Sequence, residues 1–431
     1  MHVLPQLREL EARYPDQIAV VGVHSGKYTA ERETRRIRDA TIRLDAIHPT
    51  INDRQFRLWR AYAVRAWPTL VAIDPGGYVV GMQAGEFTAH SVTPFVDRVI
   101  ADARLAGTLV ERSLHFPADA PNIAPGTLAF PGKVALDGRR FAIADSGHHR
   151  LLVGALDDHG ARLRVEHVIG GGAGYRDGND PRFRNPQGVV LHGDVMYVAD
   201  AGNHAIREIS LSTGITRTLA GTGEQFRSER DLAAGALSSP WDLCLADGVL
   251  YVAMAGIHRL WTIRPSDGVA APFSGTGAED LHDAPHAHAA LAQPMGICTA
   301  GDSLYFVDAE SSAVRVADRD PSGGVRTLVG TGLFDFGDVD GTGDAVRMQH
   351  PQGIAVAGDG RLLVCDSYND TLKWVDPSSR RAECWRRGFH EPSGLAISAE
   401  VVYVADTNAH RIAVVERKTG ETRTLEIEER V

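Results

Sequence analysis

The sequence predicts two domains of different class, a small α/β domain followed by an all-β, six-bladed propeller. Three observations carry that expectation. A unit of short strands recurs from about residue 130 to the C-terminus. Its copies are punctuated by glycine turns, in a chain with 45 glycines. The first hundred residues lack the unit and alternate helical and strand patterns instead.

The copies align on an aspartate: Phe141-Ala-Ile-Ala-Asp145, Tyr197-Val-Ala-Asp200, Tyr251-Val-Ala-Met254, Tyr305-Phe-Val-Asp308, Leu363-Val-Cys-Asp366 and Tyr403-Val-Ala-Asp406. The offsets between them are 55, 54, 54, 58 and 40 residues. A second marker precedes each copy: Pro131-Gly132, Pro186-Gln-Gly188, Pro240-Trp-Asp242, Pro294-Met-Gly296, Pro351-Gln-Gly353 and Pro392-Ser-Gly394. Gly-Thr-Gly follows some copies, at Gly221, Gly275 and Gly330. Each unit reads as four strands, for example 188–191, 195–199, 206–211 and 216–220, and a lone blade cannot bury both faces. Asp200 and Asn203 are expected to accept hydrogen bonds from turn amides. Met254 and Ile257 replace that pair in the third unit, so its turn must be held differently. After Asp406 the chain has room for strands near 411–416 and 422–427, so the sixth blade can close with its own residues. The segment 127–130 is placed at the seam.

The pattern Pro-x-Gly with Asp-x-x-Asn-x-x-Ile, best seen in Asp200-Ala-Gly-Asn-His-Ala-Ile206, resembles the NHL repeat over about 300 residues. The domains expected are 1–105, a linker 106–126 carrying Pro117, Pro121 and Pro125, and a propeller over 127–431.

The N-terminal domain reads in order as helix 3–14, apolar strand 18–23, arginine-rich helix 31–42, helix 55–63, strand 70–73, turn at Asp74-Pro-Gly-Gly77, strand 78–81 and helix 91–103. His48-Pro49, Asn52-Asp53, Leu58-Trp59, Tyr62-Ala63-Val64, Trp67-Pro68-Thr69 and Ile73-Asp74-Pro75-Gly76 make it resemble the thioredoxin fold. That resemblance implies a cis-proline at Pro68 and a site remnant formed by Asn52, Asp53, Trp67, Pro68 and Thr69. It also implies a Cys-x-x-Cys at the start of the first long helix. Met1 opens that helix, so the first core strand and both cysteines would lie upstream. The expectation is that the start has been placed too far downstream, the alternative being a degenerate domain kept for docking. Thiol–disulfide exchange needs an attacking thiolate and a resolving thiol, and the domain as written has neither.

Hydrophobic content of 43% and charged content of 23% describe an ordinary globular chain. No run of 18 apolar residues is present, so no membrane span is expected. Cys244, Cys298, Cys365 and Cys384 are scattered, with no Cys-x-x-Cys, which fits a reducing cytoplasm. Residues 1–105 carry a net charge of +2 and the remainder −12, within an overall −10. An acidic propeller argues against nucleic acid as partner.

Several constellations carry chemical residue types. His282, His286 and His288 have zinc-ligand spacing in a loop, and Asp338, Asp340 and Asp344 look calcium-like. Both sit in the insertions between blades, where the repeat explains them without an ion, so no metal or other cofactor is expected. His149, Arg150, His204, His258, Arg259, His410 and Arg411 occupy equivalent turn positions; they form a candidate binding ring, though such residues are also what the repeat carries for turn packing, the preferred reading. The turn residues Asp145, Asp200, Asn203, Asp308, Asp366, Asn369 and Asp406 are read as structural. Trp241, Trp261, Trp374 and Trp385 are read as blade packing, and the cluster Arg32, Arg35, Arg36, Arg38 and Arg43 as a solvated helix face.

The leading functional reading is a non-catalytic scaffold that binds a protein or small molecule on a propeller face. A thiol–disulfide oxidoreductase with upstream cysteines is the first alternative. A metal-dependent propeller lyase or lactonase is the second, since fold does not choose among them.

Overall fold

The computed structural model describes residues 2–112, 128–226, 231 and 234–429. The chain divides into two compact units, Met1–Asn122 and Ile123–Val431. Most of the expected linker, with Pro117, Pro121 and Pro125, lies outside the described residues.

The first unit contains α1 (Val3–Arg13), β1 (Gly22–His24), α2 (Thr34–Arg43), β2 (Thr50–Asn52), α3 (Arg57–Ala61), β3 (Thr69–Ile73), β4 (Val79–Ala84) and α4 (Ala89–Leu105). Leu7 and Leu10 of α1 pack with Phe87, Val92 and Ile100 around α4, because their spacing puts them on one helical face. A capping box closes the α4 start: the Ser91 amide donates to Thr88 Oγ1 and the Thr88 amide to Ser91 Oγ. β1 pairs parallel with β2, and β3 pairs antiparallel with β4, as two separate sheets. The Trp67–Pro68 peptide is cis.

The apolar run 18–23 is mostly irregular, and only Gly22–His24 forms strand. Ile18 and Val20 join the helical core, but Val21, Val23 and Ile51 stay 45–50% exposed. One face of this sheet is therefore covered and the other open, where the sequence predicted burial on both. The helix expected over 55–63 shortens to α3 because Phe56 and Ala63 at its ends take positive φ.

The second unit is a six-bladed β-propeller. Its blades span 134–170, 186–220, 240–274, 294–329, 353–387 and 392–424, each built on a meander of four antiparallel strands, with the two-residue strands Ala284–Pro285 and Gly341–Thr342 added at the outer edges of the fourth and fifth. The apolar faces meet between blades. Six clusters form, one at each seam, from Ala142–Val198 between the first and second blades to Phe141–Tyr403 between the first and last. Each fully buried Val, Leu or Ile contributes roughly 1.5–3 kcal/mol, so the seams hold the ring together.

The marker proline starts the inner strand with a bulge in the second, third, fourth and sixth blades. Pro240 faces Met254 and Asp242 faces Ala253, leaving Trp241 as the extra residue; Met295 and Ser393 are extra in the same way. The glycine is required by the neighbouring blade. A Cβ on Gly353 would lie 2.7 Å from the Ser393 carbonyl oxygen, and one on Gly394 2.7 Å from that of Gly132. The first Gly of Gly-Thr-Gly serves a different turn: Gly221, Gly275 and Gly330 take φ of 98–107°.

Ring closure differs from the expectation. Thr422–Thr424 pairs within the last blade, but Glu426–Glu429 crosses to the first blade and pairs parallel with its outer strand Arg162–Gly170. Leu425 breaks the run. Its amide donates to the Ile412 carbonyl and its side chain is buried at the seam, while the Glu426 amide turns to Ala161. The first blade is thus five-stranded. Phe130 also reaches this seam; Thr127 lies outside the described residues.

Candidate functional site

The repeat aspartates are fully buried and tie each inter-blade loop to its blade. Asp145, Asp200, Asp308, Asp366 and Asp406 each accept a backbone amide with Oδ1, from Ala129, Arg184, Ala292, Gln349 and His390. The second oxygen meets a cation. In three blades this comes seven residues on, with Arg207 2.7 Å from Asp200, Arg315 2.9 Å from Asp308 and Lys373 3.8 Å from Asp366. In the first and last blades it comes five residues on, from Arg150 and Arg411. Burial pushes Asp200 up to about 6 and Asp366 up to about 7 against these partners. Asn203 and Asn369 donate rather than accept, to the Asp oxygen and to the carbonyls of Gly174 and Gly337. Their role is to fasten the loop, since the Asp oxygen they face can only accept.

The third blade resolves its missing aspartate with a paired change. Met254 stands at the Asp position and Trp261 at the cation position, both buried in one apolar cluster. A buried ion pair has been exchanged for two apolar side chains.

The histidines of the candidate binding ring, with Ser312 and Asp370 at the same position, latch each blade to the next. His149, His204, His258, Ser312, Asp370 and His410 hold equivalent left-handed positions with φ of 50–56°. Each side chain accepts the amide of the residue before the next marker proline. His149 Nδ1 accepts from Asn185, His204 from Ser239 and His258 from Gln293; Ser312 Oγ accepts from His350, and Asp370 Oδ1 from Glu391. His410 Nδ1 accepts from Phe130 at 3.1 Å and completes the circle. Arg150 and Arg411 turn to their own aspartates, and Arg259 donates to the Thr276 carbonyl. The signal was legible: the fourth residue after each aligned Asp or Met is always one that can accept.

Lys133 and Asp242 were not singled out by the sequence, although they replace the marker glycine in two blades with opposite charges. Lys133 Nζ, fully buried, donates to the carbonyls of Gln352 and Ser393 and lies 3.8 Å from Asp242. It therefore joins the first blade to the third, fifth and sixth. Asp242 accepts the amides of Leu243 and Ile297. Burial lowers the Lys133 pKa and raises that of Asp242. A divalent cation does not fit this axial position, because an ammonium group already occupies it with a single carboxylate.

Among the loop candidates for metals, the three aspartates and His286 have other partners. Asp338 and Asp340 both accept from Lys373 Nζ, at 2.7 and 2.8 Å, and Asp344 pairs with Arg380. The lysine supplies the positive charge that a calcium ion would bring. His286 is buried against the Asp320 carbonyl, while the His282 carbonyl accepts from Arg315. Among the described residues no three His, Cys, Asp or Glu side chains are grouped to hold a metal.

In the first unit, Asp53 accepts the amides of Arg57, Leu58 and Trp59 and the Ser25 hydroxyl. Burial opposes its ionisation, but these donors outweigh it and hold its pKa below the ordinary carboxyl value. Asn52 fastens the Arg32 carbonyl and the Thr34 hydroxyl. Trp67 donates to the Ser25 carbonyl, and Thr69 to that of Ala66. Trp67 stays 47% exposed and meets Trp59 and Phe56 with centroids 4.5 and 6.5 Å away, and Arg32 lies over Phe56. The four cysteines are unpaired, and burial raises the thiol pKa of each. Raised thiols are poor nucleophiles at neutral pH.

Comparison with known proteins agrees with the geometry. The NHL repeat family model matches residues 389–415, which lie in the last blade. NHL repeat-containing protein 2 from Gallus gallus is 36% identical over 97% of this chain and 65% of its own length. The Homo sapiens protein of that name is 33% identical over 99% of this chain and 66% of its own. Protein SUPPRESSOR OF QUENCHING 1, chloroplastic, from Arabidopsis thaliana is 36% identical over 98% of this chain and 43% of its own. The chain thus spans at most about two thirds of the length of these curated relatives. With its six blades, its matched repeat and relatives aligned over nearly all of its residues, the chain carries an NHL repeat and is similar to NHL repeat-containing proteins.

Proposed function

We propose that this chain is a non-catalytic interaction protein, with the propeller as a rigid binding platform and the first unit as a thioredoxin-like docking module without redox cysteines. One observation carries the reading. The side chains of catalytic type in the repeats are engaged in holding blades and loops: buried aspartates on loop amides, turn histidines on the next blade, and Lys133 across the axis. The side chains with recognition character lie apart from them, as in the half-exposed Trp67 cluster. Exposed aromatic groups beside an arginine are a common anchor for protein partners. The order of helices and strands in the first unit supports the thioredoxin-like reading. The unpaired cysteines support a reducing compartment such as the cytoplasm. No helix among the described residues is long and apolar enough to cross a membrane.

The test has two arms. Dithiothreitol-dependent insulin reduction by this chain is expected to match the protein-free control. Affinity capture is expected to recover a partner with the wild type and lose it with Trp67→Ala. Insulin reduction above the control, or capture that ignores Trp67, sinks the reading.

A further inference from the structure

The propeller carries a second collection of recognition side chains, on the face formed by its hairpin turns, between the fifth and sixth blades. A cavity of about 400 Å³ there is lined by Arg361, Trp374, Trp385, Ala399, Arg417 and Lys418. That volume suits a small organic ligand. The two indoles meet at 5.5 Å and 49°, and Arg361 stacks 4.6 Å from the Trp374 centroid.

The cations are held in place by both blades. Asp359 fixes the Arg361 guanidinium. Arg417 Nη1 donates to the carbonyls of Ser398 and Ala399, and its other side-chain nitrogens make no hydrogen bond among the described residues. Arg386 of the fifth blade donates to the Thr419 carbonyl, clamping the turn that carries Lys418. Gly420 makes this clamp possible, because a Cβ there would overlap the Arg386 guanidinium. Lys418 itself is exposed, and no hydrogen bond or ion pair engages it among the described residues.

Three cations thus line the cavity beside two indoles, and among the described residues Asp359, on Arg361, is the one carboxylate paired to them, in a domain whose overall charge is strongly negative. Gathering like charges costs free energy that an anion would offset. We propose that this cavity binds an anionic ligand built on a flat ring, of the class of mononucleotides and aryl phosphates. The ring lies against Trp385, and the phosphate reaches Lys418 and the free nitrogens of Arg417. The inference rests on the reading of the propeller as a binding platform. It is tested separately from it, by direct ligand binding rather than partner capture.

The experiment is calorimetric titration of the full chain with adenosine 5′-monophosphate, adenosine and inorganic phosphate as probes. The monophosphate is expected to bind, with adenosine and phosphate each weaker by about tenfold, since each lacks one of the two contacts. Lys418→Glu, at an exposed position, is expected to weaken the monophosphate by about tenfold or more without moving the unfolding midpoint. Trp385→Leu is expected to weaken the monophosphate and adenosine but not phosphate. Three results overturn the proposal: no saturable heat from the monophosphate, phosphate binding as well as the monophosphate, or affinity unchanged in Lys418→Glu. None of these would touch the Trp67-dependent capture.

Discussion

Replacing Arg207 with Met removes the cation from a carboxylate that has no access to water. Asp200 and Arg207 are both 0% exposed and sit 2.7 Å apart. Burial already pushes Asp200 up to about 6 with its partner present. Without the guanidinium the carboxyl must take up a proton. At about pH 8, two units above that value, holding the proton costs about 1.4 kcal/mol per unit, or about 3 kcal/mol. Lost packing of the Arg207 guanidinium against Tyr175 and Phe183 adds to this, giving a total of roughly 3–5 kcal/mol. At about pH 5.5 wild-type Asp200 is largely protonated already, so the titration part nearly vanishes and about 1–2 kcal/mol of packing remains. Asp200→Met/Arg207→Trp copies the pair that the third blade uses, Met254 and Trp261. It should cost less than Arg207→Met at the higher pH and show no extra pH dependence. Urea denaturation followed by circular dichroism at both pH values measures all three chains. The carbonyls of Arg176 and Arg182 lose a donor whenever Arg207 is absent, so they cancel between the two pH values. An Arg207→Met loss below about 1 kcal/mol at the higher pH, or one equal at both, refutes the argument.

Three further outcomes follow from the same contacts. His204→Ala leaves the Ser239 amide without its acceptor, and is expected to cost about 1–3 kcal/mol, with amide exchange at Ser239 accelerated ahead of the rest of the blade. Lys133→Met strands Asp242 at the axis and should cost about 3–5 kcal/mol by denaturant midpoint; a loss below about 1 kcal/mol would show that Asp242 needs no partner. Asp366 has a folded pKa of about 7, above its unfolded value, so the native state holds a proton that the unfolded chain has released. Its contribution to stability therefore grows as pH falls from about 7 to about 4, by about 1.4 kcal/mol per unit, and Asp366→Asn should remove that slope. The lowered carboxyls of Asp283, Asp338 and Asp340 act oppositely and lose their stabilising effect below about pH 4.

Much of the propeller was legible because a repeat repeats its physics. Six aligned markers correspond to six blades, and the period of alternation places each strand's apolar face at a seam. The loss of the aspartate at Met254 was visible in the sequence, but its pairing with Trp261 was not, since the cation follows the aspartate by seven residues in three blades and by five in two. The candidate sites were less legible. A turn histidine at a repeated position favours turn packing over a binding ring, but the sequence does not name the amide it would hold. Only the Nδ1 to amide distances of 3.0–3.1 Å identify the latch. Asp338 and Asp340 have the residue types of a calcium loop, and the cation they meet in the structure is Lys373, 35 and 33 residues away in sequence.

The sequence by itself determined the number of blades and the order of strands within each, because these follow from local periodicity and turn residues. Tertiary structure alone decided how the ring closes, which charges meet at its axis and where cations gather around Trp374 and Trp385. Each of those features joins residues from different blades. Their partners are fixed by closure of the circle rather than by spacing along the chain, and Lys133 with Ser393, 260 residues apart, is the clearest instance.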